Sequence, residues 1–369
     1  MEACIANLRV VISAVSLSEG GALTVLQECL SAAVAVLPVE WEIIALVHDT
    51  NLINEPRVRL ISITSAKKSW LYRLYWEWLG FMKISRELKP TLWLSLHDIT
   101  PRVLAKRQVV YCHNPSPFYS LSLREALIEP KFLLFNWLYK YFYQVNIHRN
   151  YTVVVQQEWL RSEFYKLYGH SNIIVAHPSQ QKLPKQISAE CYSSKTIFLY
   201  PALPRVFKNF EVLCRAVEML PDQLQSKIEI RLTIDGNENR YTRKLKQSFV
   251  NVNALKFIGR QNREEMALQY LQCDVVLFPS KLETWGLPIS EAAALGKALL
   301  VADLPYSHET VGTYANVSFL PPDDVARWAD AIKGVALKTW VHQGNFDVEI
   351  EDPYADGWPK LWSMLTGGL

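Results

Sequence analysis

The chain has 369 residues, half of them hydrophobic and a fifth charged, with a formal net charge of +3. That length suggests about two domains, the apolar fraction supports a packed core, and wholesale disorder is excluded. So small a charge, without a block of lysine and arginine, gives no nucleic-acid partner.

Six cysteines (Cys4, Cys29, Cys112, Cys191, Cys214 and Cys273) are scattered without a C-x-x-C pair. Neither a metal site nor a disulfide framework is expected from them, and a reducing cytoplasm fits their pattern. The opening MEACIANLRVVISAVSLSEGG carries Glu2 ahead of any positive charge and lacks a small-residue cleavage site. It reads as a first strand, Leu8–Val15, entering a glycine turn, and not as an export signal. No run approaches the ~20 apolar residues of a membrane span.

Short β-branched runs then alternate with helical patterns. Strands are predicted at Leu8–Val15, Glu42–Val47, Val58–Ile63, Leu92–Leu96, Val109–Cys112, Thr152–Val155 and Ile173–Val175. Helices are predicted between them at Ala22–Val36, Trp70–Glu87 and Phe132–Gln144. Prolines and polar residues break the rhythm over His177–Ser194, which reads as a linker. A second series follows, with strands at Thr196–Tyr200, Ile228–Ile234, Leu255–Ile258, Asp274–Phe278, Ala298–Ala302 and Val317–Leu320. Its helices are Phe207–Met219, Glu264–Leu271 and Val325–Val335. A βαβ series means a parallel sheet covered on both faces. The fold class is therefore α/β, with two doubly wound, Rossmann-like domains across a cleft. The first takes residues 1–180, the second 181–352. Ligands in such sheets bind at the carboxyl ends of the strands.

The sharpest motif is KLETWGLPISEAAALG, in which Glu291 follows Glu283 by eight positions. Glu283 is a loop carboxylate. Gly286 and Pro288 mark a helix start, where proline loses nothing by lacking an N–H, and Glu291 lies one turn inside. The Gly286–Leu287 amides and the helix dipole favour a phosphate there. Two carboxylates flanking such a site can accept hydrogen bonds from hydroxyls on either side of a diphosphate, which describes a nucleotide-sugar pocket.

DVVLFPSKLETWGLPISEAAALGKALLVADLPYSHETVG resembles the E-x7-E region of the retaining glycosyltransferases of family 4, which have the GT-B fold. The likeness includes the Phe-Pro-Ser strand end, the Gly-Leu-Pro helix start and Gly296 closing the helix; it departs at Thr284, where the family more often has glycine. The resemblance implies that Glu283 lies by the donor sugar and Glu291 holds the ribose. It also implies retention of anomeric configuration, no metal, no cofactor beyond the nucleotide-diphosphate sugar as co-substrate, and a final helix (353–369) that crosses back onto the first domain.

Other segments gain meaning beside it. Gly20-Gly21, between the first strand and first helix, suits either a plain turn or close approach to a phosphate; in the family a glycine pair there faces the donor phosphates. YPALPRVFKNFEVL resembles the family segment ending in Lys-Asn, so Lys208 would neutralise the donor diphosphate and Arg205 could add a forked donor. Many relatives carry an arginine where this chain has Leu203. His113, at the end of a buried-looking strand before Asn114-Pro115, matches the family's histidine near the donor sugar. Asp98 is a second candidate there, with a helix-cap or turn role as its alternative. The catalytic candidates are thus Glu283, His113 and Lys208.

Around SLHDITPRV and VVYCHNPSPF the wording is similar to transferases of bacterial surface-polysaccharide (O-antigen, lipopolysaccharide and capsule) clusters. The expected function is transfer of a hexose to a glycan or lipid-linked glycan acceptor in the cytoplasm. A nucleotide-sugar epimerase of the same fold, or a non-catalytic nucleotide-sugar-binding subunit, is the alternative. Two helices dense in aromatic and basic residues, Lys67–Lys83 and Lys131–Tyr143, suit a peripheral membrane contact at the inner face, or else core packing beside an acceptor groove.

Overall fold

The computed structural model describes residues 8–178, 194–346 and 348–369. Most of the predicted linker, together with Cys4 and Cys191, lies outside them. The described residues contain the strands β1 (Arg9–Ser13), β2 (Glu42–Val47), β3 (Val58–Ser62), β4 (Leu92–Ser95), β5 (Arg107–Cys112), β6 (Thr152–Val155) and β7 (Ile173–His177). They continue with β8 (Thr196–Tyr200), β9 (Ile228–Leu232), β10 (Leu255–Phe257), β11 (Val275–Phe278), β12 (Ala298–Ala302), β13 (Val317–Leu320) and β14 (Tyr354–Asp356). Two compact units result: one of Met1–Phe118, Asn136–Ser179 and Ile350–Leu369, the other of Tyr119–Phe135 and Gln180–Glu349.

The first unit is built on a parallel sheet in the order β14-β7-β6-β5-β4-β1-β2-β3. Alternation along β1 shows why both faces are covered. Val10 and Ile12 join the core under the helices Gly20–Val36 and Trp358–Thr366, while Val11 packs on the opposite face with Trp93 and Phe81. A strand buried on both sides needs a continuous apolar run, and RVVIS supplies one. The edge strand β14 is three residues long between Pro353 and Gly357, too short for a periodic signal. Its helix is anchored by the Trp362 indole N–H, which donates to the Cys29 carbonyl at 2.9 Å, and by Trp358 stacked on Tyr111.

One predicted helix is not continuous. The segment expected as Trp70–Glu87 is an α-helix over Trp70–Tyr75, a π-turn over Trp76–Gly80 and a second α-helix over Phe81–Leu88. The wider turn accommodates a side chain that cannot stay buried alone: Glu77 is fully buried, with Oε1 2.8 Å from the Nδ1 of buried His97. Gly80 lies against the Trp76 ring, where a Cβ would overlap it. Such single π-turns are rare and sit inside α-helices, frequently at functional sites.

The second unit carries the parallel order β10-β9-β8-β11-β12-β13. It also holds Tyr119–Phe135, which precedes the sequence's apparent linker. Within that segment Ser122 and Glu125 form a reciprocal cap on the helix Leu123–Ile128, and Phe132 and Tyr119 both pack on Phe207. Both units are α/β, doubly wound and parallel, as the alternation of elements requires.

Candidate functional site

In the second unit the chain winds outward from β8 through β9 to β10, then returns to lay β11 on the other side of β8. The crevice of a doubly wound sheet lies at such a reversal, beyond the strands' carboxyl ends. Lys208 follows β8, and Glu283 follows β11. The two meet: the Lys208 ammonium donates to Glu283 Oε1 in a mostly buried ion pair, with the Phe207 and Phe278 rings 5.6 and 5.7 Å from the charge. Local structure fixes the lysine. It closes the short turn Val206–Lys208, its carbonyl accepts from the Tyr200 hydroxyl, and the next residue, Asn209, adopts φ +57. The Asn209 amide ties this turn to two other loops through the Pro279 and Pro322 carbonyls.

Gly286, at φ +86, stands where the chain turns into the helix Leu287–Ala294, with Pro288 in its first turn. A side chain there would be strained by φ and would also press on Ile289 and Phe278. One turn on, Glu291 Oε2 accepts a 2.7 Å hydrogen bond from the Tyr270 hydroxyl. Burial raises the Glu291 carboxyl above its usual range, against the opposing pull of Tyr270 and Arg263. The carboxylate lines the cavity, where its oxygens can accept from a ligand hydroxyl.

Lys208 and Glu291 line one cavity of about 280 Å³, shared with Leu203, Thr233, Arg260, Gln261, Tyr270 and Pro288. The volume sits near the lower end of the usual range for small-molecule sites, roughly 300 Å³ and upward. Gly286 and Leu287 start the helix that delivers Pro288 and Glu291, without lining the cavity themselves. Arg205 is elsewhere: its side chain is 57% exposed and 4.0 Å from Glu129.

The remaining predicted residues belong to the first unit. Gly20 has φ +58 and opens the first helix with nothing within 4 Å of a would-be Cβ, so its backbone needs glycine while its surroundings do not. Gly21 is ordinary helix. His113 follows β5 and is partly exposed, with Nδ1 3.7 Å from Asp98 Oδ1.

A family model described as "Glycosyl transferases group 1" matches residues 180–339, the stretch that supplies every lining residue of this cavity. The chain is a glycosyltransferase. The likeness to surface-polysaccharide transferases read from its motifs holds as well. Over 279 residues it is 22% identical to the O-antigen chain mannosyltransferase RfbU of Salmonella typhimurium, covering 74% of this chain and 73% of that protein. Among solved structures it is similar to WaaG, a glycosyltransferase involved in lipopolysaccharide biosynthesis, at 13% identity, with 97% and 100% of the two chains covered and a TM-score of 0.67. HepE of Anabaena, solved with UDP-glucose, gives 16% identity, 90% coverage of both chains and a TM-score of 0.60. The likeness of these structures shows the GT-B fold.

Five lining residues of the transferase cavity, Thr233, Arg260, Gln261, Met266 and Tyr270, escaped the sequence reading. Arg260 and Gln261 follow β10, and asking what comes after every strand's carboxyl end, not only after β8 and β11, would have found them; Thr233 lay inside the predicted strand Ile228–Ile234, whereas β9 ends at Leu232. Tyr270 carried no such signal, because it sits on the inward face of a helix and meets Glu291 only in three dimensions.

Proposed function

We propose that this glycosyltransferase moves a hexose from a nucleoside-diphosphate donor to a glycan of a bacterial surface polysaccharide, with retention of configuration and without a metal ion. The observation that carries the reading is the cavity itself, lined both by the Lys208 ammonium, paired with Glu283, and by the Glu291 carboxylate one turn inside a helix. Lys208 would meet the donor diphosphate, helped by the amides that open the helix Leu287–Ala294. Glu291 would accept from the ribose hydroxyls. Glu283 would act at the sugar end, where its ion pair also sets the position of Lys208. From the first unit, Gly20 and Gly21 would approach the phosphates and His113 the sugar; those roles come from the family resemblance. Departure of the diphosphate is the step that builds up negative charge, so the cationic contacts strengthen as the bond breaks and lower the barrier. The leaving phosphate would take the acceptor's proton on the same face, which gives retention. The likeness to an O-antigen chain mannosyltransferase and to a transferase of lipopolysaccharide biosynthesis supports a surface-polysaccharide acceptor. We take that glycan to be lipid-linked and the enzyme to sit peripherally at the inner membrane face, as the exposed aromatic and basic helices of the first unit would allow.

The test begins with thermal shifts for UDP, GDP, UDP-glucose and GDP-mannose, since a ligand that binds the folded state raises its stability. Transfer to a glycan acceptor is then followed by NMR of the anomeric proton. Stabilisation by at least one nucleotide sugar and a product that keeps the donor's anomeric configuration are expected. An inverted product overturns retention, and conversion of donor alone to an epimeric sugar overturns transfer.

A further inference from the structure

Asp98 is the most heavily engaged side chain near His113, and nothing in the reading above uses it. It follows β4, is almost fully buried and adopts φ +68, a conformation uncommon outside glycine that aspartate reaches when its short side chain is hydrogen-bonded nearby. Those surroundings are explicit. Its Oδ1 accepts from the His113 backbone N–H at 2.7 Å, from the Asn114 N–H at 3.1 Å and from the Tyr143 hydroxyl at 3.0 Å, and its Oδ2 accepts from the Tyr139 hydroxyl at 3.2 Å. Burial, and then Asp98 itself, pushes both tyrosines well above their usual range, so they stay protonated donors. The preceding residue is held as firmly, since Arg73 donates to the His97 carbonyl at 2.8 Å and Glu77 meets the His97 ring.

A tight turn alone would be satisfied by the two backbone hydrogen bonds. Two tyrosines from another helix, and an imidazole whose buried nitrogen faces the same oxygen, go beyond that need. We propose that Asp98 is a positioning residue for His113: its carboxylate fixes the His113–Asn114 backbone and receives the imidazole Nδ1–H, leaving Nε2 as an acceptor toward a hydroxyl of the transferred sugar. This rests on the reading that His113 acts at the donor sugar. The 3.7 Å separation of Nδ1 from Oδ1 closes to a hydrogen bond by a small ring rotation, and catalytic hydrogen bonds are commonly long before substrate arrives. A carboxylate that holds one imidazole nitrogen selects the tautomer presented by the other.

The decisive variant is Asp98→Asn, which keeps the size and the acceptor oxygen for the backbone but loses the charge. UDP or GDP release from UDP-glucose and GDP-mannose is measured for the wild type, Asp98→Asn, His113→Ala and the double variant. For Asp98→Asn, kcat should fall roughly ten- to a hundredfold with donor KM and melting temperature nearly unchanged, since misplacing a reacting group costs rate more than binding. In the His113→Ala background the same change should cost nothing further. A kcat within twofold of wild type, or full additivity of the two losses, overturns the proposal. If His113→Ala alone has no effect, the role of His113 fails, which is a separate result. Should Asp98→Asn not fold, the nitrogen chemical shifts of His113 in the wild-type protein still decide: a neutral ring protonated on Nδ1 is expected, and one protonated on Nε2 overturns the assignment.

Discussion

Lys208 and Glu283, 75 positions apart in the chain, form an ion pair beyond the carboxyl ends of the neighbouring strands β8 and β11. The pair has a consequence for binding, because Glu283 and a donor diphosphate would compete for one ammonium. Replacing Glu283 with Gln should therefore leave GDP or UDP affinity equal to wild type or somewhat tighter, while turnover falls roughly a hundredfold with the loss of a charge at the sugar end. Lys208→Met should do the reverse to affinity and weaken both nucleotides. Isothermal titration beside initial rates measures the two effects. Small and equal changes in both variants would mean that the pair only closes the fold.

Glu291 separates binding from stability. Its expected ribose contact is present in the ground and transition states alike, so Glu291→Ala should weaken donor binding about ten- to a hundredfold with little change in kcat. The isosteric change Glu291→Gln adds a pH signature. Burial raises the folded-state carboxyl above its unfolded value, so the wild-type protein loses stability as pH rises through that window. Gln has no charge to bury and can keep the Tyr270 hydrogen bond. The unliganded variant should melt higher than wild type at pH 7, by roughly one or two degrees, and the gap should close once the pH drops below the ordinary carboxylate range. A variant that melts lower at neutral pH would show that the charge is stabilised by something other than Tyr270 and Arg263.

Much of this was readable in the sequence because it depends on local patterns. Apolar runs such as RVVIS and VVLF can only be strands buried on both faces, and Gly286-Leu287-Pro288 can hardly be other than a helix start. Lys208 and Glu283 were legible through their motifs, and the strand order then shows that they follow the two strands flanking the reversal. What escaped depends on distant partners. The π-turn Trp76–Gly80 carries Glu77 to His97, twenty residues on, and the short strand Tyr354–Asp356 pairs with β7, far earlier in the chain, with Tyr354 opposite Val175. The packing of Tyr119–Phe135 in the second unit turns on Phe207, which no periodicity could reveal.

Metal dependence offers a direct check on how the diphosphate is neutralised. Among the described residues no three His, Cys, Asp or Glu side chains gather as a metal site would require, and an ammonium sits in the cavity that would take the donor. If Lys208 and the helix amides carry the charge, transfer should keep most of its rate in excess EDTA, and Lys208→Met should not regain activity on addition of magnesium. Complete loss in EDTA, reversed by magnesium, would move the charge stabilisation to a bound cation.

The aromatic helices of the first unit give the last prediction. Trp70 stacks on Phe142 and meets Tyr139 edge-on, so the helix Trp70–Tyr75 and the second half of Pro130–Gln144 form one surface. Its core side is packed, but much of it is not: Leu71 is 78% exposed, Leu79 60% and Trp137 56%, with Tyr72, Tyr75 and Tyr141 beside them. The charges around it have one sign. Residues 63–86 contain a single acid, the buried Glu77, and residues 130–157 contain none, whereas Lys67, Lys68 and Lys140 are present. No helix among the described residues is long and apolar enough to cross a membrane, so any contact made here is interfacial. The protein should therefore sediment with vesicles rich in phosphatidylglycerol at low salt, and less so as salt rises, because each basic residue contributes ~1 kcal/mol that ions screen. Changing Lys67, Lys68 and Lys140 to Glu should weaken vesicle binding by roughly a hundredfold or more without altering the melting temperature. Unchanged binding in that triple variant, or none by the wild type at low salt, would assign these rings to an acceptor groove instead.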